Sequence, residues 1–169
     1  SANYLSVWTL LKKEILRFLK VGIQTIIGPA VSSLLFLAVF NLALGRSVQT
    51  INGVSFANYI APGLIMMTIL QNAFANSASS IGQAKSQGNI VDILYAPLSA
   101  GEVTIAVTLA SVTRSMMIAF ISICIFYLII DLEIKNYFIL IVYTFLSSFI
   151  LGALGIIAGL WAEKFDHMA

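Results

Sequence analysis

Charged residues are scarce in this chain. Asp, Glu, Lys and Arg make up 9% of its 169 residues, whereas a typical soluble domain has about a quarter. Hydrophobic residues make up 60%, and several uncharged runs of about 20 residues or more would leave a soluble domain no polar surface. The composition therefore predicts an integral membrane protein.

Reactive groups are missing as well. No predicted membrane span contains Asp, Glu or His, and the chain has no Gly-x-Ser-x-Gly or His-Glu-x-x-His motif, so we predict no catalytic residue, no enzyme activity and no intramembrane proton relay. The single cysteine, Cys124, lies in an apolar run and indicates neither a disulfide framework nor a metal site. A Gly-x-x-x-x-Gly-Lys-Ser/Thr phosphate loop is also absent. Energy for uphill transport would have to come from another polypeptide.

The amino-terminal segment has the pattern of an amphipathic helix. On a helical wheel, one face is apolar and carries Tyr4, Trp8, Leu11, Ile15, Phe18 and Leu19. The opposite face is polar and carries Ser6, Thr9, Lys13, Arg17 and Lys20. We predict an interfacial helix over residues 3–20, capped by Asn3, with Lys13, Arg17 and Lys20 reaching lipid headgroups. The alternative is a soluble core helix packed on its apolar face.

Four membrane spans are predicted, at about residues 21–45, 57–82, 103–130 and 137–161. Gly28-Pro29 falls inside the first, so a kink or a freed carbonyl is expected near Thr25. Arg114 interrupts the third. We expect that span to leave the headgroup region near Ser111, so that Arg114 snorkels to headgroups. If the helix instead runs continuously from Glu102, Arg114 lies well inside the bilayer and needs a partner.

The second span carries a stripe of polar residues: Thr68, Asn72, Asn76 and Ser79. These side chains must face protein or water. Two uses remain open, hydrogen bonding between helices and a translocation path touched by substrate. In the fourth span, a stripe of small residues predicts close helix packing: Ser148, Gly152, Gly155 and Gly159.

Residues 83–102 between the second and third spans are polar, and we expect them to lie in water. A helix of about two turns is predicted to start at Asn89 and to end before Pro97. Its apolar residues Ile90, Val91, Ile93 and Leu94 need a surface to cover, either the protein's own interior or a partner.

Positive residues near the span ends predict a cytoplasmic amino terminus. In that orientation Arg46 and Lys135 lie outside, and the other cations are cytoplasmic: Lys12, Lys13, Arg17, Lys20, Lys85, Arg114 and Lys164. Because the cations sit beside membrane ends and are not interleaved with aromatic residues, anionic lipid is a more probable partner than nucleic acid.

Four features, in this order, resemble the membrane subunit of type-2 ABC exporters, the permeases of the drug-resistance and oligosaccharide-export group. They are Tyr59-Ile60-Ala61-Pro62-Gly63-Leu64-Ile65-Met66-Met67, Asn76-Ser77-Ala78-Ser79-Ser80, Ala96-Pro97-Leu98-Ser99 and Arg114. The resemblance extends from Lys13 through Asp166.

The resemblance implies an all-α permease of six spans, of which this chain holds the interfacial helix and the first four, truncated at the carboxyl end. It also implies a coupling helix that docks in a separate ATPase subunit, formed by Asn89, Ile90, Val91, Asp92, Ile93 and Leu94. That subunit would hold ATP and Mg²⁺, and the permease would work as a homodimer or paired permease in the bacterial inner membrane. The expected function is outward movement of a drug, a lipid or a lipid-linked glycan. The alternative is a structural or assembly subunit that transports nothing.

Overall fold

The computed structural model describes residues 4–45, 47 and 50–162. The predicted cap Asn3, the loop cation Arg46 and Lys164 lie outside them. The helices are α1 (Tyr4–Leu19), a π-helical segment (Ile23–Ile27), α2 (Gly28–Leu44), α3 (Phe56–Ser86), α4 (Ile90–Tyr95), α5 (Ala100–Ile130) and α6 (Tyr137–Trp161). Two short strands, β1 (Thr50–Ile51) and β2 (Val54–Ser55), join α2 to α3.

The irregularity expected ahead of Pro29 is present as the π-helical segment. Pro29 has no backbone N–H, so the carbonyl four residues earlier loses its usual donor. The Gly28 N–H donates to the Ile23 carbonyl, five residues back. The hydroxyl of Thr25 donates to the carbonyls of Phe18 (2.9 Å) and Val21 (3.1 Å). The Thr25 side chain thus links the end of α1 to the π-helical segment.

The α2–α3 connection contains a hairpin, whereas the sequence reading gave only a short loop. Thr50 pairs with Ser55 and Ile51 with Val54. Asn52 and Gly53 form the turn at φ values of 51° and 80°, and this left-handed pair is the usual composition of a two-residue hairpin turn.

Helix α3 packs most extensively on α6, through the small residues of α6. Gly155 lies so close to α3 that an added Cβ would clash with the Phe74 carbonyl oxygen and would stand 3.0 Å from the Ser77 Cβ. At Gly159 an added Cβ would stand 2.9 Å from the Ile81 Cβ. Ser148 and Gly152 are also buried. Two helix backbones can approach this closely only where side chains are absent.

Helix α5 is continuous from Ala100 to Ile130 and begins with a reciprocal capping box. The Ser99 hydroxyl accepts from the Glu102 N–H (3.3 Å), and the Glu102 carboxylate accepts from the Ser99 N–H (2.8 Å). The helix is therefore continuous from before Glu102, which is the alternative given for the third span. The segment between α3 and α5 is also shorter than predicted, because α3 runs on to Ser86.

Three helical stretches among the described residues are long and apolar enough to cross a membrane: Ile23–Leu44, Ala100–Ile130 and Tyr137–Trp161. This finding supports an all-α membrane protein, but composition alone marks three spans where we predicted four. Helix α3 is long enough to cross a membrane, at 31 residues. It is not apolar enough to be recognised as a span, because of its polar stripe.

Replacing Gly155 by Ala is expected to destabilise the protein by about 1–3 kcal/mol, since a Cβ there overpacks the α3–α6 contact. The thermal midpoint of the purified protein in detergent measures the effect. Gly63→Ala is the matched control, because Gly63 is also helical and has no atom within 4 Å of an added Cβ. Equal midpoints for the two variants would contradict the assignment.

Candidate functional site

Asn76 of α3 is fully buried at the meeting point of three helices. The Arg17 Nη2 of α1 donates to both its backbone carbonyl (3.1 Å) and its Oδ1 (3.2 Å). From α5, Arg114 Nη1 donates to the same Oδ1 (3.3 Å), and the Asn76 Nδ2 donates to Ser111 Oγ (3.0 Å). One amide side chain therefore joins α1, α3 and α5.

Glu14 completes this network from α1. Its side chain is buried, and Oε2 accepts from Arg17 Nε (3.1 Å) and from the Ser80 hydroxyl of α3 (2.7 Å). Arg17 Nη1 also reaches Gln83 Oε1 (3.5 Å). An ion pair within α1 is thus joined to the carboxyl-terminal half of α3 by hydrogen bonds from both of its members.

These contacts correct the role predicted for Arg17. It does not extend to headgroups but turns toward α3, because α1 buries the face that carries Leu10, Glu14 and Phe18. Lys13 and Lys20 are exposed. Sequence reasoning missed Glu14 altogether, and the available signal was its position four residues from both Leu10 and Phe18, which places a carboxylate on an apolar stripe.

Arg114 lies 14 residues beyond Ala100, about 21 Å along α5. Its Nη2 donates to Asn72 Oδ1 at 2.8 Å, and its buried Nε has no partner among the described residues. The Arg114 guanidinium is therefore turned toward α3, which differs from the snorkelling side chain expected for it. The alternative, a continuous helix that delivers the guanidinium to polar groups of another helix, is the one observed.

The polar stripe of α3 is used mainly between helices. The hydroxyls of Thr68 and of Ser33 on α2 bond to each other, and Asn76 bonds to α1 and α5. Ser79 donates to the Asn76 carbonyl of its own helix (3.1 Å). Asn72 accepts a hydrogen bond from Arg114 of α5. It is half-buried and also lines a surface groove.

This groove lies between the π-helical segment, α2 and α3 and has a volume of about 400 Å³. It is lined by both polar and apolar side chains, including Gln24, Ser32, Phe36, Met67, Gln71 and Asn72. All of these except Asn72 are exposed, and the polar ones among the exposed residues are Gln24, Ser32 and Gln71. The sequence reading did not single out these three, although glutamines inside long uncharged runs were a usable signal.

Helix α4 buries none of its residues. Val91 is 48% exposed, Leu94 75% and Tyr95 86%, whereas Ile90 and Ile93 are half-buried. Asn89 precedes the helix as predicted but does not cap it, since its amide donates to Gln87 Oε1 (3.2 Å). The described part of the chain leaves the apolar side of α4 uncovered.

Lys85 fixes the end of α3 just ahead of α4. Its Nζ donates to the carbonyls of Gly159 (3.3 Å), Leu160 (2.8 Å) and Ala162 (2.6 Å) at the carboxyl end of α6. A cation at this end satisfies carbonyls that lack an intrahelical donor and opposes the helix dipole. The position of α4 is therefore tied to α6.

The geometry is that of a helical membrane protein with an amphipathic first helix and an uncovered short helix between two long ones. Residues 6–169 match the ABC-2 type transporter family, and the chain belongs to that family. No solved structure matches.

The relatives include the inner membrane transport permease YadH of Escherichia coli strain K12, which is 28% identical over 164 residues. The YadH protein of Shigella flexneri has the same identity. Nodulation protein J of Rhizobium leguminosarum bv. viciae is 23% identical over 116 residues, which are 68% of this chain and 44% of that protein. The YadH alignments cover 97% of this chain but 63% of the relatives, so the chain spans less than two thirds of their length.

A double-mutant cycle tests the Glu14–Arg17 pair. Glu14→Gln alone leaves the largely buried guanidinium of Arg17 without its carboxylate, and a neutral residue at Arg17 alone leaves the carboxylate without its guanidinium. The two single variants together are therefore expected to cost more free energy of unfolding than the double variant. We expect a coupling of roughly 1–3 kcal/mol between the two positions. The measurement is denaturant unfolding in detergent. Lys13→Gln, an exposed cation on the same helix, is the control and should couple negligibly to Glu14→Gln. A Glu14–Arg17 coupling as small as that control contradicts the geometry.

Proposed function

We propose that this chain is the membrane-spanning permease subunit of an ATP-driven exporter in the bacterial inner membrane. The observation that carries the proposal is the uncovered apolar side of α4, formed by Val91, Leu94 and Tyr95. Such a surface next to water needs a protein partner. In this family context the partner is a separate ATPase subunit, which holds ATP and Mg²⁺, so the permease itself is not an enzyme.

Both ends of α4 are held, which suits the transmission of force. Lys85 ties the preceding helix to α6, and the Ser99–Glu102 capping box begins α5 just after Ala96 and Pro97. Ala96 is extended, as expected for a residue that precedes proline. A push on α4 would therefore reach α3 and α5 together and would change the angle between them.

We further propose that α3 is a fourth membrane span. Its polar side chains Thr68 and Asn76 are hydrogen-bonded to other helices and not exposed to lipid, which removes the main cost of placing α3 in a bilayer. The chain would then cross four times, with the amino terminus and α4 in the cytoplasm.

The translocation path is assigned to the α2–α3 groove. Gln24, Ser32 and Gln71 are exposed there, and amides facing lipid would lack partners. A second permease copy or a paired permease opposite the groove would close it into a path for an amphiphilic drug, a lipid or a lipid-linked glycan. The second candidate function, an assembly subunit without transport, is favoured by the use of Thr68 and Asn76 in helix contacts.

Replacing Leu94 by Glu should abolish association with the cognate ATPase, because a charge on the docking surface remains unpaired in the interface. Co-purification of the ATPase with the permease from membranes measures this association. We expect the amount of co-purified ATPase to fall by about tenfold or more. Val54→Glu, in the hairpin at the other end of α3, is the control and should leave association intact. Undiminished co-purification of the Leu94→Glu variant would overturn the docking assignment.

Cysteine labelling tests the orientation. In a Cys124→Ser background, Ser86→Cys is expected to react with a membrane-impermeant maleimide only after the cells are opened, and Val54→Cys in intact spheroplasts, since the two residues lie at opposite ends of α3. The reverse pattern would invert the topology, and labelling of both from one side would exclude α3 as a span.

A further inference from the structure

The buried network contains one more positive charge than negative charges. Its ionic groups are the guanidiniums of Arg17 and Arg114 and the carboxylate of Glu14. Glu14 forms an ion pair with Arg17 at 3.1 Å. No carboxylate among the described residues lies within ion-pair distance of Arg114, which is held only by the amide oxygens of Asn72 and Asn76.

An uncompensated guanidinium this far along a membrane helix is unfavourable, even when neutral oxygens solvate it. Amide dipoles reduce the cost but do not remove the charge, and the weak screening inside a membrane protein extends its field over several ångströms. A nearby site that is open to the surface will therefore favour an anion.

The α2–α3 groove is such a site. Asn72 lines it and accepts the Arg114 Nη2 hydrogen bond at 2.8 Å, so the guanidinium lies one side chain behind the groove wall. The amides of Gln24 and Gln71 and the Ser32 hydroxyl supply exposed donors in the same groove. These groups suit the oxygens of a phosphate ester, which accept several hydrogen bonds at once.

The groove also has an apolar part, formed by Phe36 and Met67. Phe36 belongs to an exposed apolar side of α2 with Leu35, Val39 and Phe40, so the groove is continuous with a surface that suits lipid chains. We propose that the groove binds an amphiphile with a phosphate-bearing anionic headgroup, with the headgroup beside Asn72 and the charge balanced by Arg114. This inference deepens the proposed function, because it assigns a ligand class to the groove given there as the path.

The test measures lipid binding to the purified full-length permease by native mass spectrometry. The probes are phosphatidylglycerol and phosphatidylcholine with identical acyl chains. The wild type is expected to prefer phosphatidylglycerol roughly five- to tenfold at one saturable site. Arg114→Gln, which keeps a hydrogen-bonding side chain but removes the charge, should abolish the preference, and Arg114→Lys should retain most of it.

Lys135→Gln is the matched control, because it removes one exposed cation from the segment between α5 and α6, away from the groove, and should leave the preference unchanged. Gln71→Leu tests the groove with Arg114 intact and should weaken binding of phosphatidylglycerol, so the proposal stays testable if Arg114→Gln does not fold. If Arg114→Gln and Gln71→Leu both keep the wild-type preference for phosphatidylglycerol, the proposed site is overturned. Loss of the preference in Lys135→Gln assigns it to general surface charge and overturns the site as well.

A second arm distinguishes a resident lipid from a transported one. The permease and its ATPase are placed in vesicles of equal parts phosphatidylglycerol and phosphatidylcholine, and the transbilayer movement of a fluorescent analogue of each is followed. Movement of the anionic analogue that requires ATP and is lost in Arg114→Gln supports a transported ligand, whereas binding without movement supports a resident one. The binding experiment requires no ATPase. Lipid binding in the groove can therefore fail while ATPase association through α4 is confirmed, and ATPase association can fail while lipid binding is confirmed.

Discussion

A single buried amide, the side chain of Asn76, holds three helices together. Its oxygen accepts from guanidiniums that arrive from α1 and from α5, and its nitrogen donates to Ser111. Hydrogen bonds of charged donors in a poorly screened interior are strong, and a bare guanidinium there is costly. Because both arginines share this side chain, it links the register of α1 against α3 to that of α5 against α3.

The opposite side of α3 is fixed by a different kind of contact. Gly155 and Gly159 let α6 approach at backbone distance, and Lys85 joins the two helices at their ends. Helix α3 is thus constrained on one side by charge and on the other by shape, while α4 directly after it is uncovered. In the proposed function, a partner docked on α4 would act on a helix that is held on both of these sides.

The positions of the helices could be predicted because long uncharged runs and helical periodicity are local properties of the sequence. The partners of the polar residues could not, since Glu14 and Ser80 are 66 positions apart and meet only after packing. Arg17 was assigned to lipid headgroups because its neighbours on the wheel are lysines, and Arg114 was assigned there because snorkelling lowers the cost of a charge in the bilayer. Three signals were readable but unused: Glu14 on an apolar stripe, the hairpin turn Asn52-Gly53, and the glutamines at positions 24 and 71.

The central claim is that Asn76 fixes α1 against α3. Electron-spin distance measurement tests it directly in a Cys124→Ser background, with labels at the exposed positions Lys13 on α1 and Ser86 at the end of α3. The account predicts a single narrow distance in the otherwise unmodified protein and a broad distribution in Asn76→Ala, while Ser79→Ala, which removes a bond within α3 only, keeps the narrow distance. An unchanged narrow distance in Asn76→Ala would contradict it.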